Sequence, residues 1–115
     1  MKLRVLLLSL LVAAVGLTII PIAAPQTKAT TVVVTAKEFK FVLSTKTAKA
    51  GAITFKVVNK GKIAHDFKIA GKKTPLISPG KTATLKVTIK KGSNPYMCTV
   101  PGHAAAGMKG VVKGL

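Results

Sequence analysis

From Thr30 onward, apolar and polar residues alternate in short runs separated by turn formers. The β-branched run TTVVVT, Thr30 to Thr35, predicts a first strand. In FKFVLS, Phe39, Phe41 and Leu43 alternate with Lys40 and Val42. Lys49-Ala50-Gly51 marks a turn, and ITFKVVN, Ile53 to Asn59, alternates again. Asn59-Lys60-Gly61-Lys62 is the next turn, after which HDFKIA puts His65, Phe67 and Ile69 on one face of a strand. Pro75 to Ile77 reads as a short connection, Ser78-Pro79-Gly80 as a tight turn, and TATLKVTI, Thr82 to Ile89, as the longest clean alternation. Lys90 to Pro95 reads as a turn, Tyr96 to Cys98 enters a strand, and Gly110 to Lys113 closes the chain. No ten-residue segment after the leader has a helical period. The pattern predicts an all-β, Greek-key sandwich of seven or eight strands.

The first residues follow a different pattern. Lys2 and Arg4 precede an apolar run, Val5 to Ile20, that is broken only by Ser9, Gly16 and Thr18. Pro21 follows, and Ala23, Ala24, Thr27 and Ala29 supply the small residues of a cleavage site, Thr27 and Ala29 fitting best. A signal peptide is expected. An uncleaved anchor remains open, because Val5 to Ala24 approaches the roughly 20 residues that span a bilayer. Both readings keep the positive start inside and put the rest outside the cytoplasm: periplasmic, extracellular or on the outer membrane face. Residues 1–29 are thus read as signal peptide or anchor with a short spacer, and residues 30–115 as one small domain.

Charge narrows the choice of partners. The chain carries +17, of which Lys2, Arg4 and Lys28 belong to the leader, so the domain keeps about +14. Glu38 and Asp66 are its only acids. Lysines that alternate with apolar residues form the solvent face of strands. The alternative reading is that they steer the domain toward an acidic partner or an anionic membrane or cell surface. Nucleic acid is disfavoured, because the lysines are dispersed and aromatic residues for base stacking are few.

The chemistry is concentrated in YMCTVPGHAAAGMKG, Tyr96 to Gly110. It holds the single cysteine, Cys98, then His103 five residues on, then Met108 five further. The one other histidine, His65, lies in NKGKIAHDFKIAG. A lone thiol in an exported domain bridges another chain, is a buried bystander, or ligates. Two imidazoles, a thiolate and a distant thioether are the ligand set of a blue-copper electron-transfer site. Three ligands from one loop cannot surround an ion, so His65 has to come from a distant strand.

At Cys-x4-His-x4-Met with His-Asp upstream, the chain resembles the cupredoxin family, with a spacing more like azurins and auracyanins than plastocyanins. The resemblance is strongest from Asn59 to Ala70 and from Tyr96 to Val112. It implies a one-electron carrier with a single mononuclear type 1 copper. His65, Cys98 and His103 would form the trigonal plane, with Met108 as the long axial ligand. It also implies that Asp66 bonds to the backbone at Thr99 and braces the two ligand loops, although the family more often has Asn there. Ala64 stands where azurins have a glycine whose carbonyl adds an axial contact, so that contact is not expected. The patch of Pro101, Gly102, Ala104 and Ala105 around His103 is the family's place for docking a redox partner.

Other readings of the same residues exist. An exported copper carrier or resistance protein would use several methionines or histidines to pass the metal on, whereas the domain has only Met97 and Met108. A Cys98–His103 nucleophile pair would need a third, orienting group. A closed zinc site usually has more thiolates. With no carboxylate pair and no catalytic triad, an enzyme is not expected. A monomer is.

Overall fold

The computed structural model describes residues 13–22 and 30–115. Residues 13–22 are exposed and have no regular secondary structure. The rest of the expected leader, with Lys2, Arg4 and the cleavage residues Thr27 and Ala29, lies outside the described residues. Among the described residues no helix is long and apolar enough to cross a membrane.

Residues 30–115 form nine strands: β1 (Thr30–Lys37), β2 (Lys40–Leu43), β3 (Thr47–Ala48), β4 (Gly51–Asn59), β5 (Lys68–Ile69), β6 (Lys72–Lys73), β7 (Thr82–Ile89), β8 (Gly92–Met97) and β9 (Lys109–Gly114). They build a four-stranded sheet, β2-β1-β4-β7, and a five-stranded sheet, β3-β9-β8-β5-β6. The chain crosses repeatedly between the sheets, as a Greek-key sandwich requires. Parallel pairing of β1 with β4 sets Val32 beside Phe55 and Val34 beside Val57. Antiparallel pairing of β4 with β7 then sets Phe55 beside Leu85 and Ile53 beside Val87. All of these are buried, so the period-two pattern and the register select the same face.

The departures from expectation have local causes. Nine strands replace seven or eight because two-residue strands such as β3 and β6 are too short to leave a periodic trace. Ala70 and Gly71 join β5 to β6, both with positive φ (52° and 75°), as a primed two-residue turn demands. Alanine rarely adopts that conformation, so the hairpin carries little sequence signal. Of the expected strand HDFKIA, only Lys68–Ile69 is strand, while His65 makes an isolated bridge to Ile77. β8 starts at Gly92, where a turn was expected through Pro95. Pro95 pairs with Val111 on one side, and β5 covers only Tyr96 and Met97 on the other, so the proline sits where that edge is open. Phe39 lies outside the core, 42% exposed, although alternation put it with Phe41 and Leu43.

Phe67 ties the core to the segment that carries His65 and Asp66. It is fully buried and packs on Phe41 (ring centroids 5.2 Å apart), Phe55 (5.2 Å) and Tyr96 (5.4 Å). Its N–H donates to Thr74 Oγ1, and its carbonyl accepts from the Thr74 N–H, both at 3.0 Å. A segment without a continuous ladder is thereby pinned by one ring and two hydrogen bonds. Phe67→Ala should destabilise the metal-free domain by about 3–5 kcal/mol, read as a lower denaturant midpoint. A loss below 1 kcal/mol would show that the ring is not an anchor.

Candidate metal centre

Backbone hydrogen bonds hold each side of the site before any ligand is considered. His65 exchanges N–H···O bonds with Ile77, at 3.2 and 2.7 Å. The buried Asn59 side chain donates to the carbonyls of Ile63 and Ile77, both at 2.8 Å, and accepts from the Gly61 N–H at 2.8 Å. The sequence places Asn59 at the end of a strand and the start of a turn, with no sign of its side-chain contacts. In the structure its amide joins the turn before His65 to Ile77, the bridge partner of His65.

The opposite side is the loop from Cys98 to Met108. The Cys98 N–H donates to the Met108 carbonyl (3.0 Å), and the Met108 N–H donates to the His103 carbonyl (3.1 Å). Residues 101–107 form continuous turns between them, closed in part by the His103 N–H on the Val100 carbonyl at 3.0 Å. Gly107 is required here. Its φ is 126°, and a Cβ would come within 2.9 Å of the Phe39 carbonyl oxygen.

Four side chains converge between the two sides. His65, Cys98 and Met108 are fully buried, and His103 is 8% exposed. His65 Nδ1 lies 3.1 Å from His103 Nδ1, which lies 3.6 Å from Cys98 Sγ. The donor atoms of these three residues all lie within 4.8 Å of one another, the one such group among the described residues. A first-row metal at about 2.0 Å from nitrogen and about 2.3 Å from sulfur, in a trigonal array, needs donors roughly 3–4 Å apart. The residues fit such an ion. Met108 is held next to them by its backbone bonds to both Cys98 and His103.

The charged and aromatic neighbours fix these groups further. Asp66 Oδ1 accepts from the Thr99 N–H at 2.6 Å, and Oδ2 accepts from the Thr99 hydroxyl. The loop that carries His65 is thus joined to the loop that begins at Cys98. Phe39 packs edge-on against the His103 ring, with centroids 5.1 Å apart. Glu38, the other acid, lies 3.6 Å from His65 Nε2. Sequence reasoning missed the roles of Asn59, Phe39 and Glu38; the rarity of acids was the one available signal, and it was followed only for Asp66.

The cupredoxin-like domain family matches residues 8–112. The chain belongs to that family. Among solved structures this cupredoxin is similar to an auracyanin of the photosynthetic bacterium Roseiflexus castenholzii, with a TM-score of 0.66 and 22% identity over 76% of this chain and 98% of that one. It is similar to auracyanin A of the green thermophilic photosynthetic bacterium Chloroflexus aurantiacus, a "blue" copper protein (TM-score 0.63, 19% identity, 76% and 99% covered). It is also similar to the azurin Az-iso2 of the obligate methylotroph Methylomonas sp. strain J (TM-score 0.60, 17% identity, 75% and 98% covered). At these identities the likeness is one of fold. No curated protein sequence matches the chain. In a cupredoxin, the cluster of His65, Cys98, His103 and Met108 is typical of a type 1 copper site.

Burial sets the protonation of the metal-free cupredoxin. It is the main cause that pushes the His65 imidazole below its ordinary value of 6.5, and a charge on His103 acts in the same direction. Glu38 and Asp66 oppose it. Burial also pushes the Cys98 thiol above its ordinary value of 9.0, against hydrogen bonds at the backbone of Asp66 and Val100. The signs follow from linkage. A depressed histidine favours folding above its unfolded value, and that stability is lost as pH falls below 6.5. A raised thiol favours folding below its unfolded value, and that stability is lost as pH rises above 9.0. Metal-free protein should therefore have its highest denaturant midpoint between these limits, and Cys98→Ser should remove the first part of the alkaline loss. A midpoint that is flat across both limits would contradict this account.

Proposed function

We propose that this cupredoxin is a one-electron carrier that works outside the cytoplasm with a single type 1 copper. His65 Nδ1, Cys98 Sγ and His103 Nδ1 would hold the metal, with the Met108 thioether as a further, weaker ligand. The observation that carries the proposal is the convergence of those three buried donors, at 3.1 and 3.6 Å, in a frame of backbone hydrogen bonds. Copper in such a site supplies a one-electron couple whose potential depends on the axial ligand and on hydrogen bonding around the sulfur.

The protein's own contribution is to keep the ligands in place. Asn59, Asp66, Thr99 and the Cys98–Met108 backbone bond restrain both loops, so the donor positions would change little between oxidation states. The burial of His65, Cys98 and Met108 leaves no side open to a substrate, which supports a carrier over an enzyme. His103 is the most exposed of the four candidate ligands, and exposed Pro101, Gly102 and Ala105 lie in its loop. This small, uncharged patch suits close contact with a redox partner. Every lysine from Lys37 to Lys113 is exposed, which suits steering toward an acidic partner before that contact forms.

Copper-loaded domain should show the intense visible thiolate-to-copper band in its oxidised form, lose it on reduction and recover it on reoxidation. Cys98→Ser should abolish it. A colourless copper-loaded protein, or a blue Cys98→Ser variant, would overturn the assignment; release of copper during repeated cycles would instead favour a metal carrier. Docking has its own test. Reversal of several surface lysines to glutamate should slow electron transfer to the partner, mainly at low salt, because the Debye length falls to about 8 Å at physiological ionic strength. Ala105→Asp should impair transfer even at high salt. Rates independent of ionic strength would reduce the lysines to a solubilising coat.

A further inference from the structure

Glu38 stands in the turn between β1 and β2, far along the chain from every residue of the metal centre, yet it reaches the buried side of His65. Its Oε1 accepts from the N–H groups of Lys62 and Ile63, at 2.5 and 2.9 Å. Gly61 makes room for this approach: a Cβ there would come within 2.6–2.9 Å of the carboxylate. From that position Oε1 faces His65 Nε2 across 3.6 Å. His65 Nε2 is the one buried side-chain nitrogen or oxygen without a hydrogen-bond partner among the described residues.

The two nitrogens of an imidazole are linked. If His65 Nδ1 presents its lone pair toward Cys98 and His103, the ring must carry its proton on Nε2. That proton then points out of the donor cluster, into a buried position where it needs an acceptor. Glu38 Oε1 is about half an ångström beyond good hydrogen-bond length, and two backbone N–H groups already hold it in place. A metal-bound histidine commonly donates its second N–H to a carboxylate, which fixes the tautomer and increases the ring's donor strength.

We infer that Glu38 is the positioning residue for His65: its carboxylate accepts the Nε2 proton, fixes Nδ1 as the ligating atom, and brings negative charge to the site. The two backbone N–H groups that donate to Oε1 favour the carboxylate over the neutral acid. Both acids of a strongly basic chain then serve the metal centre, Asp66 by reaching from the His65 loop to Thr99 and Glu38 behind His65. The tautomer part of the inference stands on geometry alone. The effect on redox potential rests on the proposed type 1 copper.

The test compares wild type, Glu38→Gln and Glu38→Ala, loaded first with zinc and then with copper. In the zinc-loaded wild type, 15N-resolved spectra should show the His65 Nε2 proton as a slowly exchanging, downfield resonance. Glu38→Gln keeps an acceptor for His65 and for the Lys62 and Ile63 N–H groups, so the fold and that resonance should persist. Loss of the carboxylate charge should raise its copper reduction potential. Glu38→Ala should lose the slow exchange and release zinc about 10–100-fold faster. If Glu38→Ala leaves the resonance and zinc release unchanged, the carboxylate is only a turn cap and the inference fails. If Glu38→Ala does not fold, an unchanged potential in Glu38→Gln overturns the charge effect by itself. A wild type that is not blue with copper, but whose His65 resonance depends on Glu38, would refute the electron-carrier reading and leave the positioning role standing.

Discussion

The metal centre depends on a joint between two loops that the chain places far apart. His65 belongs to a segment with almost no ladder of its own, and Cys98 lies just beyond the end of β8. In the five-stranded sheet only the two residues of β5 connect these regions. The Asp66 carboxylate supplies the missing rigidity by gripping both the N–H and the hydroxyl of Thr99. Its two bonds fix the spacing between the residues next to each carboxylate partner, His65 and Cys98. Hydrogen bonds to a charged acceptor are about twice as strong as neutral ones, which suits a joint that must hold without a metal.

The rest of the sandwich supports this joint from below. Phe67 follows Asp66 directly and packs among three aromatic rings, so the carboxylate stands next to a residue anchored in the core. Asn59 performs the same service on the other flank of His65 through Ile63 and Ile77. Burial favours the uncharged forms of His65 and Cys98 in the metal-free protein, pushing the imidazole down and the thiol up. A metal held by Cys98 Sγ would require loss of the thiol proton, which would couple its affinity to pH.

Much of this was legible in the sequence, for identifiable reasons. Strands β1, β4 and β7 have one wet and one dry face, so their period of two survives in the residue order. The four ligand candidates stood out because the chain has one cysteine and two histidines. What stayed hidden depends on single conformations or on distant contacts. Ala70 in a left-handed turn concealed the β5–β6 hairpin, and Pro95 concealed the first half of β8. Phe39 keeps the alternation of a core residue but packs against the His103 ring instead. Glu38 meets the site only through a turn that passes over Gly61, a contact that no local pattern records.

The central claim is that the polypeptide, rather than the metal, sets the positions of His65, Cys98 and His103. X-ray absorption at the copper edge, measured on the same sample oxidised and then reduced, addresses it most directly. The account predicts two nitrogen scatterers and one sulfur at short range in both states, with nearly unchanged distances. Loss of an imidazole on reduction, or a short oxygen ligand in the oxidised state, would contradict it.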